Sequence, residues 1–229
     1  MVQIQIKIAN LTDRRLRNRI IESMIGVTKV KIFFRYLAFS SLLAMILSGA
    51  NAQDFDKGMA AIDVGDYQTA LIEFLPLAER GNALAQLMVG RMYDDGNGVV
   101  HDDVEAVKWY RLAADQGVAL AQFSIGMMYR NGNGVVQDYV EAVKWLRLSA
   151  DQGEEWAQVN IGIMYSQGRG VIQNNVIAHM WYNIASANGQ ENSAELRDLI
   201  AAKMTQEAIE KAQTMAQECV SSGYKNCGE

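Results

Sequence analysis

The chain has 229 residues, half of them hydrophobic and 21% charged, with a formal net charge of −5 and a single proline. It is too apolar for a disordered segment and, with two cysteines, too poor in them for a disulfide-built miniature fold. Its negative balance also argues against nucleic acid or an anionic membrane surface as a partner.

The first fifty residues stand apart from the rest. Lys29, Lys31 and Arg35 precede an apolar run from Tyr36 to Ser48, and Ala50-Asn51-Ala52 comes directly after it. A basic region, a short hydrophobic core and a small-x-small site describe a secretory signal peptide over residues 1–52, with a long leader and Met24 as an alternative start. The run is too short to span a bilayer comfortably, so no membrane span is expected after cleavage. From Gln53 onward there are 13 Lys and Arg against 24 Asp and Glu, a net charge of 13 − 24 = −11. The expected compartment is periplasmic or extracellular.

A period of 36 residues organises the remainder of the chain: Gly90, Gly126 and Gly162 are in phase, as are Tyr93, Tyr129 and Tyr165, and Trp109, Trp145 and Trp181. Repeats of this length form solenoids, in which each unit buries its apolar face only against its neighbours. The expected body is residues 53–221, and it opens with a short unit, 54–82, in which Asp66 and Ala70 lie one period before Asp102 and Ala106. Pro76 falls inside the second helix of that unit and predicts a kink.

Three full repeats come next, at 83–118, 119–154 and 155–190. In the first, Ala85, Val89, Met92 and Tyr93 recur at helical steps, so Ala83 to about Asp94 reads as a helix, and Gly90 within it calls for close approach by a neighbour. Gly96-Asn97-Gly98 stops that helix. Asp102 is placed to cap a second helix reaching about Gln116, with Glu105 completing a capping box, and Gly117 ends it. Each repeat is thus a helical hairpin. Residues 191–221 read as a divergent closing helix pair with Thr205 as the N-cap between them, and 222–229 as a C-terminal tail.

The pattern carried by Ala85, Gly90, Tyr93, Gly96, Gly98, Val99, Asp102, Ala106, Trp109, Ala113 and Gly117, and by their equivalents in the next two copies, resembles the Sel-one-like repeat (SLR) family, relatives of the tetratricopeptide repeats. The third copy departs from the pattern at Asn174, Ser186 and Asn188. The resemblance implies an all-α, right-handed α/α superhelix. Through it, the first helix of each unit would line a concave side. The positions implied are Leu84, Leu87, Arg91 and Asp94, then Leu120, Phe123, Met127 and Arg130, then Trp156, Val159, Ile163 and Ser166. Each set shares one helical face. Two readings of this apolar stripe stay open: core packed between adjacent first helices, or a groove for a protein or peptide partner.

No constellation carries chemistry. The acids around Gly96 have the wrong spacing for a calcium loop, and the repeated Gly-x-Gly lacks the strand and third glycine of a nucleotide fingerprint. His101 reads as a surface substitution at a position where the other copies have Gln137 and Gln173, and His179 as packed or exposed beside Trp181. Ser124 and Ser166 have no base at any recognisable motif spacing. Cys219 and Cys227 read as a disulfide pinning the tail, since zinc would need further ligands close by and a catalytic redox pair usually has two intervening residues. No cofactor and no metal are expected.

The resemblance implies a non-enzymatic protein-binding adaptor or regulator of the bacterial cell envelope, or a secreted one. Two alternatives are a β-lactam-hydrolysing or penicillin-binding relative, and a passive envelope scaffold joined through uncapped ends. The β-lactamase-like branch carries a cysteine pair in each repeat, and this chain has none there. Mass spectrometry of the exported protein should find Gln53 at the N-terminus; a mature chain retaining Tyr36–Ser48 would contradict the signal-peptide reading.

Overall fold

The computed structural model describes residues 54–225 and 227–228, so the leader and its cleavage site lie outside the described residues. Ten helices and no strand occur among those described: α1 at 54–63, α2 Tyr67–Glu79, α3 Ala83–Asp95, α4 Asp103–Asp115, α5 Ala119–Asn131, α6 Tyr139–Ala150, α7 Glu155–Gln167, α8 Asn175–Ala187, α9 Glu191–Ala201 and α10 Gln206–Ser221. They form an α-solenoid of helical hairpins, in which α2 packs on α3, α4 on α5 and α6 on α7. Helix α2 runs through Pro76 and ends three residues later; with no N–H, Pro76 leaves the Ile72 carbonyl without its helical donor in that last turn.

Local chemistry sets each helix boundary. Gly96, Gly132 and Gly168 close α3, α5 and α7 in the left-handed conformation, with φ of 69°, 80° and 67°. Asp102 Oδ1 accepts the N–H groups of Val104 and Glu105 at 2.9 and 3.0 Å, and Asp138 and Asn174 repeat the cap. The expected capping box does not form. Glu105 turns instead to Lys108 Nζ at 2.5 Å, and the Asp102 N–H donates to the Tyr93 carbonyl at 3.0 Å. The turn folds back across the end of α3 and uses that N–H to close the hairpin, as Asp138 and Asn174 do on Tyr129 and Tyr165.

Inside each hairpin the helix glycine admits the partner helix. A Cβ on Gly126 would lie 2.7 Å from Leu146 Cγ, and one on Gly90 or Gly162 would strike the ring of Tyr110 or Tyr182. Gly58 plays the same part against Phe74 in the first unit, where the shorter turn puts it out of phase with the others. Between hairpins, Gly98, Gly134 and Gly170 lean on the carbonyls of Tyr67, Asp103 and Tyr139 at the start of the preceding second helix.

A polar ladder joins consecutive hairpins. Gln86, Gln122 and Gln158 are buried, and their Nε2 groups donate to the carbonyls of Ala78, Ala114 and Ala150 in the preceding hairpin. Their Oε1 atoms accept from Gln116, Gln152 and Asn188 at 2.7, 2.7 and 3.0 Å. On the second helices, Arg111 stacks over Trp145 at 5.6 Å and Arg147 over Trp181 at 5.3 Å.

At the C-terminal end the last two helices fold back on α8. Helices α9 and α10 each pack on α8, and Thr205 caps α10 through the Ala208 N–H. The segment after α10 is pinned to that helix. Cys219 and Cys227 pair with a Cα–Cα distance of 4.8 Å, and Cys227 is fully buried in a cluster with Leu146, Met180 and Trp181. Arg147 donates to the Cys227 carbonyl, and Tyr224 exchanges hydrogen bonds with Asn188. Gly228 faces Met180 and Ile177, which stand where the preceding copy has Lys144 and Glu141. The departures of the third repeat thus accommodate the segment that covers its outer face.

Replacing Gly126 with Leu overpacks the contact with Leu146 and should cost about 1–3 kcal/mol. Thermal unfolding measures it, and an unchanged melting temperature would refute the close-packing account.

Candidate partner-binding surface

The twelve positions of the first-helix stripe divide by depth. Leu84, Leu120 and Trp156, at the same phase in three repeats, are 52%, 53% and 52% exposed. Leu87, Phe123, Val159, Met127 and Ile163 are half-buried and pack against the core. The stripe is therefore divided in depth: an apolar wall anchored in the core, crowned by three large side chains in water.

One cleft lies between its first two helices. Leu87, Arg91 and Asp94 on α3 face Leu120 and Phe123 on α5 across a space of about 310 Å³, with the Tyr110 side chain at its wall. A smaller cavity of about 90 Å³ on the other side of α3 shares Met88, Arg91 and Asp95 and is closed by Ile62 and Tyr67.

The last position of each set carries different chemistry. Asp94 Oδ2 accepts from the Tyr110 hydroxyl at 3.1 Å. Burial raises the Asp94 carboxyl above its usual pKa, against the lowering effect of that bond, and burial also pushes the Tyr110 phenol upward. In the next copy Leu146 replaces the tyrosine, and Arg130 Nη1 donates to Asn160 Oδ1 on α7 at 2.7 Å. In the third, Ser166 donates to the Ile163 carbonyl at 2.9 Å and accepts from Tyr182 at 3.4 Å. Arg91 pairs with Asp95 at 3.4 Å on the open surface, where such a pair contributes little.

The remaining sequence candidates take structural parts. His101 is more than a surface substitution: its Nδ1 lies 2.7 Å from the Asp94 carbonyl, so Nδ1 carries the proton, and Gln137 and Gln173 bind the Arg130 and Ser166 carbonyls in the same way. His179 is buried, and burial and then Arg197 hold its pKa below the usual value. Neither Ser124 nor Ser166 meets a histidine among the described residues, and no group of three His, Cys, Asp or Glu side chains there is placed to hold a metal. The glutamine ladder went unread in the sequence. Its signal was present, three glutamines in phase four residues before the helix glycine, in a position where burial made them improbable.

The family model for the Sel1 repeat matches residues 83–118, 119–154 and 157–190. The chain is a Sel1-like repeat protein. A solved Sel1 repeat protein from Oxalobacter formigenes is 28% identical, over 74% of this chain and 77% of that one, with a TM-score of 0.63. The structure of c5321, described as a protective antigen present in uropathogenic Escherichia coli strains and displaying an SLR fold, is 30% identical with a TM-score of 0.66. That match covers 80% of this chain but 44% of c5321, so the Sel1-like chain spans less than half of that relative. A comparison with curated proteins finds no match. Sel1 repeat proteins are generally non-enzymatic scaffolds that mediate protein–protein interaction. No helix among the described residues is long and apolar enough to cross a membrane.

Proposed function

We propose that this Sel1-like protein is an exported, non-enzymatic adaptor or regulator that holds a protein or peptide segment along the first-helix face. The observation that carries the reading is the row of Leu84, Leu120 and Trp156, each about half exposed at one phase of the repeat and set over half-buried apolar walls. Isolated exposed leucines need no explanation, whereas three large apolar side chains in register beside an apolar cleft mark a contact surface. Export is supported by the basic, apolar and small-residue pattern before Gln53 and by the Cys219–Cys227 pair, which persists in oxidising compartments.

The test separates surface from core. Affinity capture from the protein's own envelope fraction identifies the partner, and a binding titration then compares variants. Trp156→Ala should weaken binding at least tenfold with the melting temperature unchanged, because half of the side chain already lies in water. Phe123→Ala should lower both, since that ring packs into the core. Wild-type affinity in Trp156→Ala would contradict the binding face.

A further inference from the structure

Among the described residues two half-buried charges on the groove face, Asp94 and Arg130, have no salt bridge; His101, whose ring bonds the Asp94 carbonyl, acts on the Asp94 carboxyl through space. Asp94 is half-buried at the cleft between α3 and α5, held by the Tyr110 hydroxyl, and no Lys or Arg pairs with it. Arg91, the nearest candidate on the same helix, is engaged by Asp95. Arg130 is half-buried one repeat later, held by the neutral Asn160 amide oxygen, and no carboxylate pairs with it. Both side chains are already positioned by a neutral hydrogen-bond partner, so little further ordering is needed to meet a counter-charge. Leu120 and Phe123 line the same cleft as Asp94.

We infer that the groove takes an extended peptide carrying one basic and one acidic side chain, the base seated on Asp94, the acid on Arg130, and an apolar residue on Leu120 and Phe123. The inference rests on the protein-binding reading above and names the chemistry of its partner. Asp94 and Arg130 occupy the same phase of consecutive repeats, each at the C-terminal end of its helix. The Arg130 guanidinium suits a carboxylate because it is planar and cannot lose its charge. The Asp94 carboxylate suits an ammonium or guanidinium, since a cation restores the stabilisation that burial has removed. Ser166 ends the charged row, which fixes a short motif near the N-terminal half of the groove rather than a run of charges along it.

A display library of random dodecapeptides, selected on residues 53–229 with the disulfide intact, reads the preference directly. The wild type should enrich sequences that carry a base, an acid and an apolar residue. Asp94→Asn should erase the preference for the base and keep that for the acid. Arg130→Gln should do the opposite. For a selected peptide, replacing its Lys by norleucine should weaken binding to the wild type at least fivefold and leave binding to Asp94→Asn unchanged, a double-mutant cycle that a merely structural Asp94 would not produce. Enrichment of apolar sequences without charge preference, or of charges indifferent to both substitutions, would overturn the inference and leave the protein-binding reading standing. Enrichment of nothing, from variants and wild type that all melt alike, would overturn both.

Discussion

A buried glutamine in an apolar helix is costly unless every polar atom of its amide is bonded, and in this protein the partners come from different hairpins. Gln122 on α5 donates to the Ala114 carbonyl of the hairpin before it and accepts from Gln152 of its own hairpin. Gln86 and Gln158 repeat the arrangement one period to either side. The amide is satisfied at only one spacing and one rotation of consecutive units. A purely apolar interface would tolerate sliding, whereas this one has a register. The helix glycines act alongside it, because Gly126 lets Leu146 approach and so fixes the width of the hairpin that carries the next rung.

That register is what gives the groove face its order. Leu84, Leu120 and Trp156 reach water at the same depth because their helices are held in phase, and Asp94, Arg130 and Ser166 form a row for the same reason. Within this fixed frame single residues are free to vary. Leu146 of the second copy lacks the hydroxyl with which Tyr110 holds Asp94 in the first, and Arg130 finds Asn160 instead. At the far end the same logic runs in reverse. Asn188 is shorter than the glutamine it replaces, which admits the Tyr224 hydroxyl, and Ile177 and Met180 offer the segment around Cys227 an apolar seat. The chain closes its solenoid with a disulfide-pinned turn laid over α8, supported by α9 and α10.

The hairpins were legible in the sequence because their determinants are local and recur: glycines at helix ends, a capping Asp102 and its equivalents, and apolar residues at helical steps. What escaped depends on contacts distant in sequence. Gly58 was hidden because a shorter turn breaks the 36-residue period in the first unit, and only the Phe74 ring reveals its purpose. The use of the Asp102 N–H on Tyr93, in place of a capping box, depends on how the turn crosses the helix end. The docking of Cys227 beside Trp181 links residues that no short-range pattern connects. The groove stripe was placed on one face, but periodicity says nothing of depth, so the split between exposed Leu120 and half-buried Phe123 needed the packed neighbours.

Hydrogen exchange on Gln122→Leu measures whether the ladder couples hairpins. The account predicts faster exchange at the ends of α4 and α6, where Ala114 and Gln152 lose their partner, as well as in α5 itself. A change confined to α5, with α4 and α6 as protected as in the wild type, would contradict it.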